Sequence, residues 1–424
     1  MTGNDEVGNR LRREVGVFGA VLLGLGSIMG TGVFVSLAIG AQLAGAWVVG
    51  ALAVAGVLAA CNALSSAQLA AAHPVSGGTY EYGYRYLGPS SGFTAGWMFL
   101  LAKSASAATA ALGFAGYALG FVIESPEWWQ TVGLAALVVV VLSGCVLAGI
   151  RRSNILNALL VFMTLGALAC FVGLAAIRRD DGVAFEGEMP GLPGFLEACA
   201  LMFVAYTGYG RIATLGEEVR EPRRTIPRAI GLTIVVTFVV YLAVALAGVA
   251  GGGATAFLSS GAPLESAARA MGSEGVALAV AVGACVAMLG VLLNLILGLS
   301  RVLLAMGRRG DAPGVFARVR GGSPVPAVIG VGAVIAGLTL IGDVKTTWSF
   351  SAFAVLVYYA ITNVCALRLP AGDRLYPRAA SWLGLGGCLG LAFWVDASVW
   401  GVGVGLVVLG LVVHRVVRAR RIGS

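Results

Sequence analysis

The feature that most constrains this chain is a succession of apolar runs, each about 20 residues long and divided by short polar links. As a helix, such a run crosses the ~30 Å hydrocarbon core of a bilayer. Inside hydrocarbon every backbone N–H and C=O must find a partner within the protein, and helices satisfy this. Reading along the chain gives twelve runs, at about 17–43, 46–70, 92–122, 128–149, 154–177, 195–215, 228–251, 275–305, 325–342, 347–368, 380–395 and 397–414. The ninth and eleventh are short, and only the surroundings of Asp396 divide the last two. Composition agrees. Apolar residues are 58% and charged residues 11% of 424, against about 45–50% and 25% in soluble domains. Too little polar surface is left to cover a globule of this size. The expected fold is an all-α polytopic membrane protein with 12 transmembrane helices.

Charge supplies an independent test. With the N-terminus inside, 23 basic residues fall on the inner side of these spans. Four, Arg178, Arg179, Arg269 and Lys345, fall outside, and Lys103 lies deep within a span. This is a positive-inside pattern, so both termini are expected in the cytoplasm. The membrane is expected to be the plasma (inner) membrane. The net charge of +8 is then a topological signal, and no nucleic-acid partner is expected. No small-residue cleavage site follows the first apolar region, so that region is read as a span. Trp47, Trp128, Trp129, Trp348, Trp394 and Trp400 fall near outer ends, and Trp97 and Trp382 near inner ends. They read either as an aromatic belt or as packing between helices.

Catalytic chemistry finds little support. The seven cysteines all fall in apolar runs without CxxC spacing, and His73 and His414 stand alone. No disulfide framework, metal site or cofactor is expected. A membrane-embedded enzyme would need titratable groups clustered at one depth, and none is found.

Two spans are unusual inside. The first contains Gly24-Leu25-Gly26-Ser27-Ile28-Met29-Gly30-Thr31-Gly32, and the sixth Phe203-Val204-Ala205-Tyr206-Thr207-Gly208-Tyr209-Gly210. Each glycine costs about 1 kcal/mol relative to alanine inside a helix. Close helix packing through small residues is one explanation. The other is an unwound stretch whose backbone lines a polar cavity. The two clusters lie five spans apart, an odd number, so equivalent helices would run in opposite senses. That arrangement is a 5+5 inverted repeat with broken helices 1 and 6, plus two C-terminal helices.

At these residues the chain resembles the amino acid–polyamine–organocation superfamily of secondary transporters, with its leucine-transporter-type inverted-repeat fold. Gly26-Ser27-Ile28-Met29-Gly30-Thr31-Gly32-Val33-Phe34 is similar to the family's G-x-I-I-G-x-G-I-F motif. Residues 74–82 follow P-x-x-G-G-x-Y-x-Y, and 217–230 follow E-E-x-x-x-P-x-R-x-I-P-R-A-I. Residues 300–310 follow S-R-V-L-x-A-M-A-R-D-G, with Arg309 where relatives usually carry Asp. Thr164 stands where many proton-linked or sodium-independent relatives carry Lys. The resemblance covers about residues 16–370. It implies a cytoplasmic segment 1–15, a first repeat 16–177, an outer loop 178–194 and a second repeat 195–369. Residues 370–424 then hold helices 11–12 and a cytoplasmic tail.

The resemblance also implies the chemistry. Amino acids would cross the bilayer by alternating access, driven by protons or at least without sodium. An exchanger, or a carrier of polyamines, amines or heterocycles, is the alternative. The substrate carboxylate would meet Ser27, Ile28, Gly30, Thr31 and Gly32, where half-helix N–H groups and the dipole favour an anion. Its ammonium would lie near Val204, Ala205, Tyr206 and Thr207, and Tyr206 and Tyr209 would cover it or simply pack. The segment 74–82 would belong to the inner gate, its bland alternative being a tight turn. A channel also suits a pair of broken helices, and saturable uptake with counterflow separates a carrier from it.

Lys103 is singled out by the residues alone. About eleven residues past Gly92, at ~1.5 Å each, it lies about 16 Å deep. A midplane lysine usually faces a cavity or a partner, and snorkelling is difficult from that depth. Lys103 is therefore the candidate proton-coupling or substrate-site cation. No acidic residue lies mid-span, which favours a neutral or modestly polar amino acid.

Overall fold

The computed structural model describes residues 15–75, 77–123, 126–148, 154–178, 191–214, 219–251, 254–259, 262–320 and 323–422. Ser76, Arg10, Arg12, Arg13, Arg151, Arg152, Arg179, Glu217 and Glu218 lie outside them, as does most of segments 1–15 and 178–194. The first elements are α1 (Val17–Ile28), α2 (Leu37–Ala44), α3 (Val48–Ala72), α4 (Thr79–Tyr86), α5 (Pro89–Gly120) and α6 (Trp128–Leu147). Next come α7 (Asn154–Ile177), α8 (Leu192–Tyr206), α9 (Gly210–Ala213), α10 (Pro222–Ala250), α11 (Ala254–Ser259) and α12 (Pro263–Ala270). The last are α13 (Glu274–Arg309), α14 (Val325–Thr339), α15 (Val344–Leu367), α16 (Arg378–Ala392) and α17 (Ala397–Ile422). Among the described residues no strand forms, only isolated bridges such as Val15 with Val219.

Nine segments among the described residues are long and apolar enough to cross a bilayer. One of them, Val17–Ala72, has 56 residues, about 84 Å as a continuous helix and far more than one crossing needs. It turns at Gly45, whose φ of +54° suits glycine. The helices α14 and α16 have 15 residues each, about 22 Å and shorter than the hydrocarbon core. The segment 74–82 was expected as a loop, and its residues from Thr79 on instead open the helix α4. Trp348, read either as belt or as packing between helices, packs: it is 2% exposed and donates its Nε1–H to Leu201 O at 3.0 Å.

Local chemistry sets the helix ends. The Asp343 carboxylate accepts from the N–H groups of Lys345 (3.2 Å) and Thr346 (2.8 Å) and starts α15. Glu127 and Gln130 form a capping box on α6. Gly310, with φ of +84°, ends α13 in the left-handed conformation. Asp396, which divides the last two helices, accepts from Ser398 N–H at 2.9 Å. The Ser398 hydroxyl, then its N–H, hold the Asp396 carboxyl below the ordinary carboxylate range.

The helices pack as two groups. In the first, α3 packs on α10 and α8, α1 on α10, and α2 on α8. In the second, α5 packs on α13, α6 and α14. The second group holds an apolar cluster of its own, including Leu112, Val139, Ile296 and Val328. Lying along α5, α15 also reaches α3 and α8 and so spans both groups.

The first apolar run is broken and the sixth is tightened. Met29 leaves α1 with ψ of 85°, and a π-helical turn over Gly32–Ser36 leads into α2. Between α8 and α9 the chain tightens to a 3-10 turn over Thr207–Tyr209. The two interruptions touch. A Cβ on Gly208 would lie 2.6 Å from the Ser27 carbonyl carbon, and one on Gly32 would lie 3.1 Å from the Ala205 Cα. Tyr241 of α10 ties them: its hydroxyl donates to Ile28 O at 2.8 Å and lies 3.3 Å from Ala205 O. Close packing accounts for other glycines of the first cluster, with Gly24 against Ile212 and Gly30 against Val291. Both explanations offered for the cluster therefore apply, at different glycines.

This contact makes a prediction. Gly208→Ala should force the interruptions apart and cost about 1–3 kcal/mol, as overpacking does. Gly144→Ala, where a Cβ meets nothing within 4 Å, is the control. Thermal unfolding in detergent should fall by several degrees for the first variant alone. Equal midpoints would show that no tight backbone contact exists at Gly208.

Candidate substrate site

A cavity of about 360 Å³ lies on the seam between the two groups, within the ~300–1,000 Å³ usual for small-molecule sites. The first group contributes Ser27 at the end of α1 and Thr207, Gly208 and Gly210 at the tightened turn. The second contributes Phe99 and Lys103 from α5 and a wall of α13 from Val291 to Ala305. That wall is about 21 Å long and carries Leu295, Leu299 and Val302. Tyr358 and Tyr359 come from α15. Gly77, Tyr80, Arg211 and Arg301 line it towards the ends of α9 and α13.

Lys103 is the fifteenth residue of the 32-residue α5. Its Nζ donates to Thr207 Oγ1 at 2.9 Å. The Thr207 hydroxyl in turn donates to Val204 O at 2.8 Å, and Tyr359 OH donates to Thr207 O at 3.2 Å. One residue of the tightened turn thus joins a cation from the second group to α15. Among the described residues lining the cavity, Lys103, Arg211 and Arg301 are cationic and none is a carboxylate. Such a lining favours an anionic group on the ligand.

The expected site residues divide. Ser27, Thr207 and Lys103 line the cavity. Ile28, Gly30, Thr31, Gly32, Val204, Ala205, Tyr206 and Tyr209 do not line it. Thr31 is buried, Gly30 and Gly32 face Val291 and Ala205, and Ile28 O and Ala205 O face Tyr241. Tyr206 OH donates to Leu52 O at 3.2 Å, and the Tyr209 ring packs 5.5 Å from Tyr359. Both tyrosines have the packing arrangement set out as the bland alternative.

Sequence reasoning missed several partners. Asn157 Nδ2 donates to Leu22 O at 2.8 Å, and Asn294 Nδ2 lies 3.5 Å from Gly26 O. Together they hold α1 just before its break. A buried polar residue in an otherwise apolar run was the available signal. Thr164, by contrast, turns its hydroxyl back to Leu160 O in its own helix at 2.8 Å.

With this geometry in place, comparison with known proteins is informative. The chain matches the amino acid permease family model over residues 19–417. It is 43% identical over 415 residues to an uncharacterized transporter of Mycobacterium tuberculosis, covering 96% of this chain and 91% of that relative. It is 30% identical over 327 residues to the methylthioribose transporter of Bacillus subtilis, covering 73% and 70%. It is 29% identical over 335 residues to the branched-chain amino acid permease of the same organism, covering 75% and 72%. These relatives are transporters rather than enzymes. The family match runs through both interrupted helices and nearly the whole chain, and on it this chain belongs to the amino acid permease family of multi-pass membrane transporters.

Proposed function

We propose that the protein carries neutral α-amino acids across the plasma membrane by alternating access, without sodium. The observation that carries this reading is the cavity at the seam, with Lys103 hydrogen-bonded to Thr207 beside the two touching interruptions. The substrate carboxylate lies against Lys103 and Ser27, with the N–H groups of Ile28 to Gly32 completing its site as the two groups move. The ammonium lies near the carbonyls of Val204 to Thr207. Phe99, Leu295, Leu299 and Val302 offer an apolar wall to the side chain, and no carboxylate among the described lining residues would hold a cationic one. The branched-chain permease among the relatives supports this side-chain class. The methylthioribose transporter favours a second reading, a non-amino-acid solute.

The reading includes a topology. Twelve helices cross, α1–α2 through α15 form the 5+5 inverted repeat, and α14 and α16 cross with the help of flanking residues. Both termini are cytoplasmic, so the cavity, lined by Arg211 and Arg301 towards the ends of α9 and α13, opens inwards. Lys103, when protonated, supplies a positive charge to the site, and its protonation is linked to substrate binding.

Three outcomes are expected. In proteoliposomes, radiolabelled leucine uptake should saturate, show counterflow, and persist when sodium is replaced by choline. Competition by methylthioribose but not by amino acids would favour the second reading, and an absolute sodium requirement would refute sodium independence. Lys103→Ala should reach the membrane, lose pH-dependent accumulation and raise KM about tenfold or more, as losing a ~1.5–3 kcal/mol charged hydrogen bond predicts. Parental pH dependence in that variant would remove Lys103 from coupling. For topology, Gly372→Cys and Ala397→Cys, both at exposed positions flanking α16, should label from opposite sides in a background without native cysteines. Labelling from one side would show that α16 does not cross.

A further inference from the structure

A second buried polar cluster lies beside the inner end of the cavity. Asp311 follows Gly310 at the end of α13, and its Oδ2 accepts from Tyr80 OH at 2.7 Å and Tyr84 OH at 2.6 Å, both on α4. Its Oδ1 lies 3.4 Å from Nδ1 of His414 on α17, and the two side chains are 6% and 7% exposed. The His414 ring stacks on Phe93 of α5 with centroids 4.4 Å apart. Nearby, Trp97 donates to Leu406 O of α17 at 2.9 Å. The guanidinium of Arg309 lies 4.1 Å from the Tyr84 ring centroid and 5.2 Å from that of Tyr80. It also donates to both oxygens of Glu81, at 2.9 and 2.7 Å. Four helices thus meet around one carboxylate.

Tyr80 has two environments. Its ring forms part of the cavity wall, seated against Gly96, where a Cβ would fall 2.5 Å from the ring. Its hydroxyl is held by Asp311, which is not among the lining residues. Hydrogen bonds from a hydroxyl to a carboxylate are about twice as strong as neutral ones. A phenol deprived of its acceptor in a buried place bears the cost of an unmade hydrogen bond. Polar groups of the adjoining cavity, such as Thr214 and Asn294, share its lining with Tyr80.

We propose that Asp311 is a positioning residue for transport: it holds Tyr80 retracted in the wall of the inner mouth, and His414 brings the C-terminal helix α17 into that hold. This rests on the reading of the cavity as an inward-opening substrate path. It makes α17 a working part of the carrier rather than an appendage. The pull of Asp311 on Tyr80 keeps the mouth open, and its release lets the ring close it.

Thiol accessibility tests this without substrate. The reporter is Gly298→Cys, which lines the cavity where a Cβ meets nothing within 4 Å. It is placed in the full chain lacking native cysteines, in inside-out membrane vesicles. Labelling by an impermeant maleimide is normalised to the exposed Gly372→Cys. Asp311→Ala should slow labelling at least threefold, His414→Ala should slow it less, and adding Tyr80→Ala to Asp311→Ala should restore the parental rate. A merely structural role for Asp311 would not be rescued by removing the tyrosine ring. Parental labelling in Asp311→Ala, or slowing that Tyr80→Ala does not restore, overturns the proposal. If Asp311→Ala is not recovered from membranes, Asp311→Leu, of similar size and without an acceptor, decides by the same rescue. Failure here leaves the uptake results standing, and failure of amino acid uptake leaves this result standing.

Discussion

The structure depends on how an interrupted helix satisfies its backbone inside an apolar bundle. No water is at hand in a bilayer core, so the backbone around an interruption takes its further hydrogen bonds from side chains of other helices. Tyr241 reaches Ile28 O, Tyr359 reaches Thr207 O and Trp348 reaches Leu201 O. Asn157 reaches Leu22 O just upstream of the α1 break. These donors come from α7, α10 and α15, and so the interruptions also fix how those helices stand around them. Where the backbones themselves meet, at Gly208 on Ser27 and Gly32 on Ala205, only glycine leaves room.

The same arrangement produces the site. The interruptions belong to one packed group and Lys103 to the other, so the cavity between them is walled by two bodies. A carrier requires such a seam, because relative movement of its walls can expose a bound solute to one side and then the other. Thr207 is the meeting point. It takes a hydrogen bond from Lys103 and passes one to Val204 O, and its own carbonyl accepts from Tyr359. On the proposed reading, a ligand carboxylate beside Lys103 would meet an amine already oriented by the interrupted helix.

Particular residues show how much was legible. The fifth run, 154–177, coincides with α7, because nothing but an amphipathic or apolar helix suits 24 such residues. Lys103 stood out because a charge in mid-span has few explanations, and it lines the cavity. The glycine clusters marked the interruptions of the first and sixth runs, but which glycines serve close packing depended on neighbours such as Val291 and Ile212. The helix α4 was not legible, since Thr79–Tyr86 is short and polar and its tyrosines are held by Asp311, more than 200 positions away in sequence. The roles of Tyr241 and Asn157 were not legible, because one polar residue in a long apolar run does not reveal which carbonyl it faces.

By itself the sequence determined that this chain lies in a bilayer as a bundle of helices, with the first and sixth apolar runs interrupted and a lysine in the middle of a long apolar helix. These are local properties, set by run length, glycine content and the cost of burying charge in hydrocarbon. Only the tertiary structure decided which residues share the cavity. It turned Ser27, Lys103 and Thr207 towards one space and packed Gly30, Gly32, Tyr206 and Tyr209 elsewhere. The reason is geometric: a helix tells its residues apart by facing, and which face meets a cavity depends on contacts between segments remote in the chain.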